Sequence, residues 1–123
     1  MLGHSPERLA SWAESVAADH LRRQGLRILD RNWRAGHREL DIVAQEGDVV
    51  AFVEVKARGP GPQDPLEAIG RTKRRDIRRA AERWIHSHPG VGSEFRFDAI
   101  GVRAGGSGVR ILHVRGAFTG DDT

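Results

Sequence analysis

Cysteine is absent from the 123 residues, which excludes disulfides, thiolate nucleophiles and cysteine-ligated zinc together. A chain without thiols suits a reducing compartment, so a cytoplasmic location is expected. Also missing is any apolar run near the roughly 20 residues that cross a bilayer, and any continuous apolar leader segment near the start. No membrane association is expected. The HExxH spacing does not occur, and His86 and His88 are two ligands where a zinc centre needs three or four. Lysine is scarce: of 20 basic residues only Lys56 and Lys73 are lysine, the rest being arginine.

What is present describes one packed domain. An apolar share of 38% with three Trp and four Phe is too high for a disordered chain, and 123 residues bury about two-thirds of their unfolded surface. The expected domain covers residues 1–118, with a disordered tail at 119–123. Ser5, Pro6 and Glu7 read as a helix start, Leu9, Trp12, Ala13, Val16, Ala17 and Leu21 recur at helical spacing, and Gly25 reads as the stop. Strand character follows over 26–34, 38–46 and 49–58, with Gly47-Asp48 as a hairpin turn. A glycine- and proline-rich loop at 59–65 leads to a capping box at Asp64-Pro65-Leu66-Glu67 and a helical region to about His86, breakable at Gly70. Strands at 94–102 and 109–115 complete an α/β chain, a mixed central β-sheet flanked by helices.

Centring the hairpin on Gly47-Asp48 makes opposite residues sum to 95, so Asp41 faces Glu54 and Glu39 faces Lys56 on one side. Leu40, Ile42, Ala44, Val49, Ala51, Val53, Val55 and Ala57 form the other side, an apolar face for the core. Val43, Val50 and Phe52 cover one end of the charged side and leave the acids at the other end. Two carboxylates with Cβ atoms about 5 Å apart repel unless a cation neutralises them, and magnesium takes few carboxylates plus waters. The carbonyl of Val55 is a candidate third ligand. Spacing alone equally allows a solvent-exposed ladder in which Lys56 pairs with Glu39 or Glu54, worth under about 1 kcal/mol. Lysine is a compact point charge able to sit beside a metal-bound water, which gives its rarity a meaning at Lys56.

Seven basic residues fall between Arg71 and Arg83, against Asp76 and Glu82. Helical phase sets Ile77, Ala80, Ala81 and Trp84 on one face and Arg71, Arg75, Arg78 and Arg79 on the opposite one. That is either a polyanion-binding face or a solvated one. Lys73 falls on the apolar side, to snorkel toward the acids or to pack its stem on Trp84. The three tryptophans are expected in the core rather than under stacked bases.

The segments Asp30-Arg31-Asn32-Trp33-Arg34, Glu39-Leu40-Asp41-Ile42-Val43-Ala44 and Phe52-Val53-Glu54-Val55-Lys56-Ala57-Arg58 together resemble the YraN family, also catalogued as UPF0102. Glu14 with Ala17, Lys73, Arg96-Phe97-Asp98 and Ala117-Phe118 fit the same pattern, while Arg38 and Ala13 replace glycines usual there. The resemblance implies the restriction-endonuclease-like fold of PD-(D/E)xK nucleases: Mg2+ or Mn2+ held by Asp41 and Glu54, Lys56 assisting the attacking water, and Glu14 as an additional acid. It also implies an endonuclease that acts on nucleic acid, DNA in preference to RNA and branched DNA by analogy with junction resolvases, with a homodimer left open. Contacts to nucleic acid are expected from Arg58, Arg71, Lys73, Arg74, Arg75, Arg78 and Arg79. The alternative is a non-catalytic nucleic-acid or protein-binding module on the same fold.

Overall fold

The computed structural model describes residues 6–58, 69–106 and 108–119. Helix α1 (Pro6–Arg23) ends as the sequence predicts. The Leu26 N–H donates to the Leu21 carbonyl at 2.9 Å and the Gly25 N–H to the Arg22 carbonyl at 3.0 Å, with Gly25 at φ 93°. Only a residue without Cβ takes that left-handed cap without strain. The expected cap at Ser5 lies outside the described residues.

Strands β1 (Arg27–Ala35), β2 (Arg38–Glu46) and β3 (Val49–Arg58) run antiparallel in sequence order. Helix α2 (Arg71–Ser87) then returns the chain to β4 (Glu94–Gly105), parallel to β3, and β5 (Gly108–Phe118) closes the sheet antiparallel to β4. The fold is thus α/β, a five-stranded mixed sheet of order β1-β2-β3-β4-β5 with a helix on each face. The last two strands extend beyond their expected ends. The β2–β3 register runs from Glu46↔Val49 to Ile42↔Val53, the predicted sum of 95, around Gly47 at φ 61°. Helix α2 starts after an extended Gly70, and the predicted loop at 59–65 and capping box at 64–67 lie outside the described residues, as does the tail after Thr119.

Two cores result. On one face Ala13, Ala17, Ala18 and Leu21 of α1 pack on Ile42, Ala44, Ala51, Val53 and Val55. On the other, Ile77, Ala80, Ala81 and Trp84 of α2 pack on Val43, Val50, Phe52 and Phe97. Burial on both faces is why β2 and β3 read as nearly continuous apolar runs. Trp84 is buried edge-to-face on Phe52 and donates its indole N–H to Asp30 at 2.7 Å, satisfying the one polar atom it brings inside. Side chains so placed cost about 3–5 kcal/mol when cut to alanine. Trp12 and Trp33 are half-buried, and Leu9, at the outer end of α1, is exposed.

Leu40 does not share the α1 face with Ile42 and Ala44; it packs with Trp33 in the α2 core. Pairing between β2 and β3 stops at Ile42↔Val53, while β1 continues to hold β2 through Trp33↔Leu40. Freed from one neighbour, β2 changes the phase of its side chains across Asp41.

Candidate metal centre and nucleic-acid face

The acids sit where the central ladder opens. Past Ile42↔Val53 no β2–β3 pair forms, and the Val55 N–H donates instead to the Asp41 carboxylate at 2.9 Å. In an extended strand N–H and C=O of one residue point to the same side, so the Val55 carbonyl also faces this gap. Glu54, buried, lies beside Ala99 in the parallel register, and Lys56 beside Gly101, so the β4 flank offers no bulk.

Both lysines of the chain reach one atom. The Lys56 ammonium is 3.4 Å and the Lys73 ammonium 3.5 Å from Glu54 Oε2, one from β3 and the other from α2. Lys73 therefore snorkels toward the acids. The expected Glu39–Lys56 pairing is not made: Glu39 turns to Arg34 at 3.2 Å, because the strands that would face the two residues have already parted. Burial raises the Asp41 pKa to about 7, together with the charge of Glu54 and a hydrogen bond to it, against the opposing Val55 amide and Lys73. Glu14 reaches the same place from α1. Its pKa too is raised, by burial and by Asp41, with Asn32 and Arg31 opposing, and its Oε1 is buried without a hydrogen-bond partner. Among the described residues no three acidic or histidine side chains close around a single point. Asp41 and Glu54 with room for waters suit a magnesium shell better than a full protein cage does.

Residues 13–102 match the family described as uncharacterised protein family UPF0102. The chain belongs to that family. A UPF0102 protein of Frankia casuarinae is 45% identical over 114 residues, covering 91% of this chain and 97% of that one. Those of Syntrophotalea carbinolica and Anaeromyxobacter dehalogenans are 45% and 39% identical, over 92% and 97% of this chain and 93% and 90% of their own. The solved structure of Pyrococcus furiosus SfsA in complex with Ca2+ is similar at TM-score 0.40 and 15% identity, over 89% of this chain and 63% of that one, too distant a likeness to argue from.

On α2 of this UPF0102 chain, Arg71, Lys73, Arg75 and Arg79 are exposed, and Arg74 and Arg78 are half-buried. Arg74 is engaged within the fold, donating to the Ile69 carbonyl at 3.0 Å and lying over the Phe118 ring at 5.7 Å. Asp76 answers Arg38 of β2 at 3.5 Å. The Arg58 side chain lies outside the described residues. No helix among the described residues is long and apolar enough to cross a membrane.

Sequence reasoning missed two clusters. His88 caps α2, stacked on Trp84 at 4.0 Å and facing Asp30 at 3.7 Å. Asp98, fully buried, accepts from Arg96 at 2.9 Å, from His113 at 2.9 Å and from the Gly116 N–H at 3.1 Å, and the other His113 nitrogen lies 3.1 Å from His20 of α1. An arginine two residues before an acid on one strand was the only visible signal. The histidines, 93 positions apart, gave none.

Proposed function

We propose that this protein is a Mg2+- or Mn2+-dependent endonuclease of the PD-(D/E)xK type that hydrolyses DNA phosphodiesters in the cytoplasm, with branched DNA as the favoured substrate. One observation carries the reading. The only two lysines of an arginine-rich chain converge on the buried carboxylate that neighbours a second, strongly perturbed one. Perturbed acids beside a fixed ammonium are the groups a phosphoryl-transfer site needs.

Asp41, Glu54 and the Val55 carbonyl would hold the cation, with Glu14 as the further acid. The ion, when bound, supplies a Lewis acid and a water of lowered pKa. Lys56 lies two residues after Glu54 on the same strand face, where its ammonium can hold the attacking water and a non-bridging phosphate oxygen. Lys73 and the exposed arginines of α2 bind flanking phosphates. That helix opens on Arg71, Lys73 and Arg74 with no acid in its first turn and no side-chain cap, an arrangement a phosphate would stabilise.

The competing reading, a binding module without catalysis, draws on the same ion pairs, since two ammoniums already neutralise Glu54. Asp41 and the unpartnered Glu14 oxygen weigh against it, because a purely structural cluster gains nothing from them. A panel of labelled branched and linear DNAs with Mg2+ or Mn2+ separates the two. Cleavage by the wild type is expected, lost in Asp41→Asn and cut about a hundredfold in Lys56→Arg at unchanged DNA binding, since the arginine fork replaces the point charge. Binding of DNA without metal-dependent cleavage of any substrate would leave only the module.

A further inference from the structure

Among the described residues Asn32 is the one non-glycine at positive φ, 51°, and it sits in the interior of the nine-residue strand β1. Asparagine tolerates the left-handed region better than most side chains, yet the conformation still carries strain, which persists only where surroundings enforce it. The place is not arbitrary. Arg31↔Ile42 and Trp33↔Leu40 bracket it, so Asn32 stands across from Asp41, where β2 also changes phase. Its side chain lies near the Glu14 carboxylate, whose Oε1 is buried without a hydrogen-bond partner.

We infer that Asn32 is a positioning residue for Glu14: the left-handed turn of β1 aims its carboxamide at the Glu14 carboxylate and fixes that carboxylate beside Asp41. A neutral amide suits this task. Arg31 is also near Glu14 and would neutralise it, whereas the Asn32 amide orients the acid and leaves its full negative charge for a cation. Arg31 is instead drawn aside, donating to Ser15 at 3.3 Å. The strained residue thus links α1 to the opened ladder, and without it the Glu14 carboxylate would be free to turn to Arg31. The inference rests on the metal-centre reading above and adds a residue that no motif of the acids includes.

The test separates the backbone of Asn32 from its amide. Glycine accepts φ 51° without strain, so Asn32→Gly in the full chain keeps the turn and removes only the carboxamide. Binding of Mn2+ alone, followed by electron paramagnetic resonance of the free ion, is measured with thermal melts for wild type, Asn32→Gly, Glu14→Gln and the double variant. Asn32→Gly should melt no lower than wild type yet bind Mn2+ about tenfold more weakly, as removal of groups that orient metal ligands does. Glu14→Gln should weaken Mn2+ binding as well, and the double variant should be no weaker than Glu14→Gln alone. Wild-type Mn2+ affinity in Asn32→Gly, or losses that simply add in the double variant, would overturn the role while leaving the metal centre standing. If the Asp41→Asn, Glu54→Gln pair also leaves Mn2+ binding unchanged, the metal centre itself is wrong and this inference falls with it.

Discussion

Asp41 is caught between the Val55 backbone amide and a second carboxylate, and the balance sets its proton affinity. Burial and the neighbouring Glu54 outweigh the amide and Lys73, raising its pKa to about 7. A carboxyl whose folded pKa lies above its unfolded value near 4 binds its proton more tightly in the fold. Without metal, then, the charge penalty is absent at low pH, grows as pH rises through 4 to 7, and is complete above 7. Asp41→Asn removes it. The metal-free variant should melt within a degree or so of wild type near pH 4 and roughly 5 °C above it at pH 8. Saturating Mn2+ should reverse the order at pH 8, because only the wild type gains a ligand, and its binding near pH 6, where Asp41 is still mostly protonated, should release about one proton per ion. A variant that melts like wild type across this range, with no proton release, would mean that Asp41 carries no such strain.

At the scale of elements, α2 divides its labour cleanly. Ile77, Ala80, Ala81 and Trp84 anchor it, and Arg75 and Arg79 on the exposed side touch none of that core. Arg75→Ala with Arg79→Ala should leave the melting temperature nearly unchanged, weaken every DNA alike, and make the salt dependence shallower by about one unit of log–log slope per lost phosphate contact. Affinity equal to wild type would return this face to mere solvation. This division was legible beforehand, because helical phase follows from residue type alone once a helix is granted. So was the register of β2 on β3 from Glu46↔Val49 to Ile42↔Val53, fixed by Gly47-Asp48, whereas the reach of Lys73 to Glu54 was one of two placements that helical phase left open. The opening of the ladder past Ile42 was not, since it turns on a carboxylate replacing a backbone acceptor. The phase change at Leu40 and the left-handed Asn32 follow from that opening and were hidden with it.

Across the whole molecule, the Asp41 and Asp98 clusters answer acid with opposite signs. Protonation relieves the Asp41 side, as argued from its raised pKa. The clasp that joins α1 to the β4–β5 pair works the other way. Burial would raise the Asp98 pKa, but hydrogen bonds from His113, Arg96 and the Gly116 amide overcome it and hold Asp98 below its ordinary value. Since Asp98 accepts from His113 Nε2, the remaining His113 nitrogen is left to accept from His20 when both rings are neutral. His20 is in turn held below its ordinary pKa by burial and by the positive neighbours His113, Arg115 and Arg23. A depressed folded pKa means that the unfolded chain takes protons first. The stability due to neutral His20 is therefore complete above about pH 6.5 and lost as pH falls below it, whereas that due to Asp98 is lost only below about pH 4. Because Asp41 gains in the same interval, the wild-type melting curve alone would conceal the histidine. The difference between wild type and His20→Gln isolates it, and His20 is exposed enough that the effect is screened to a degree or two. Wild type should melt above His20→Gln at pH 8, and the gap should close or invert by about pH 5. Fully buried Asp98 keeps its partners in both proteins, so below pH 4 the two should fall together. A gap that stays constant from pH 8 to 5 would show that His20 packs against His113 without its proton mattering.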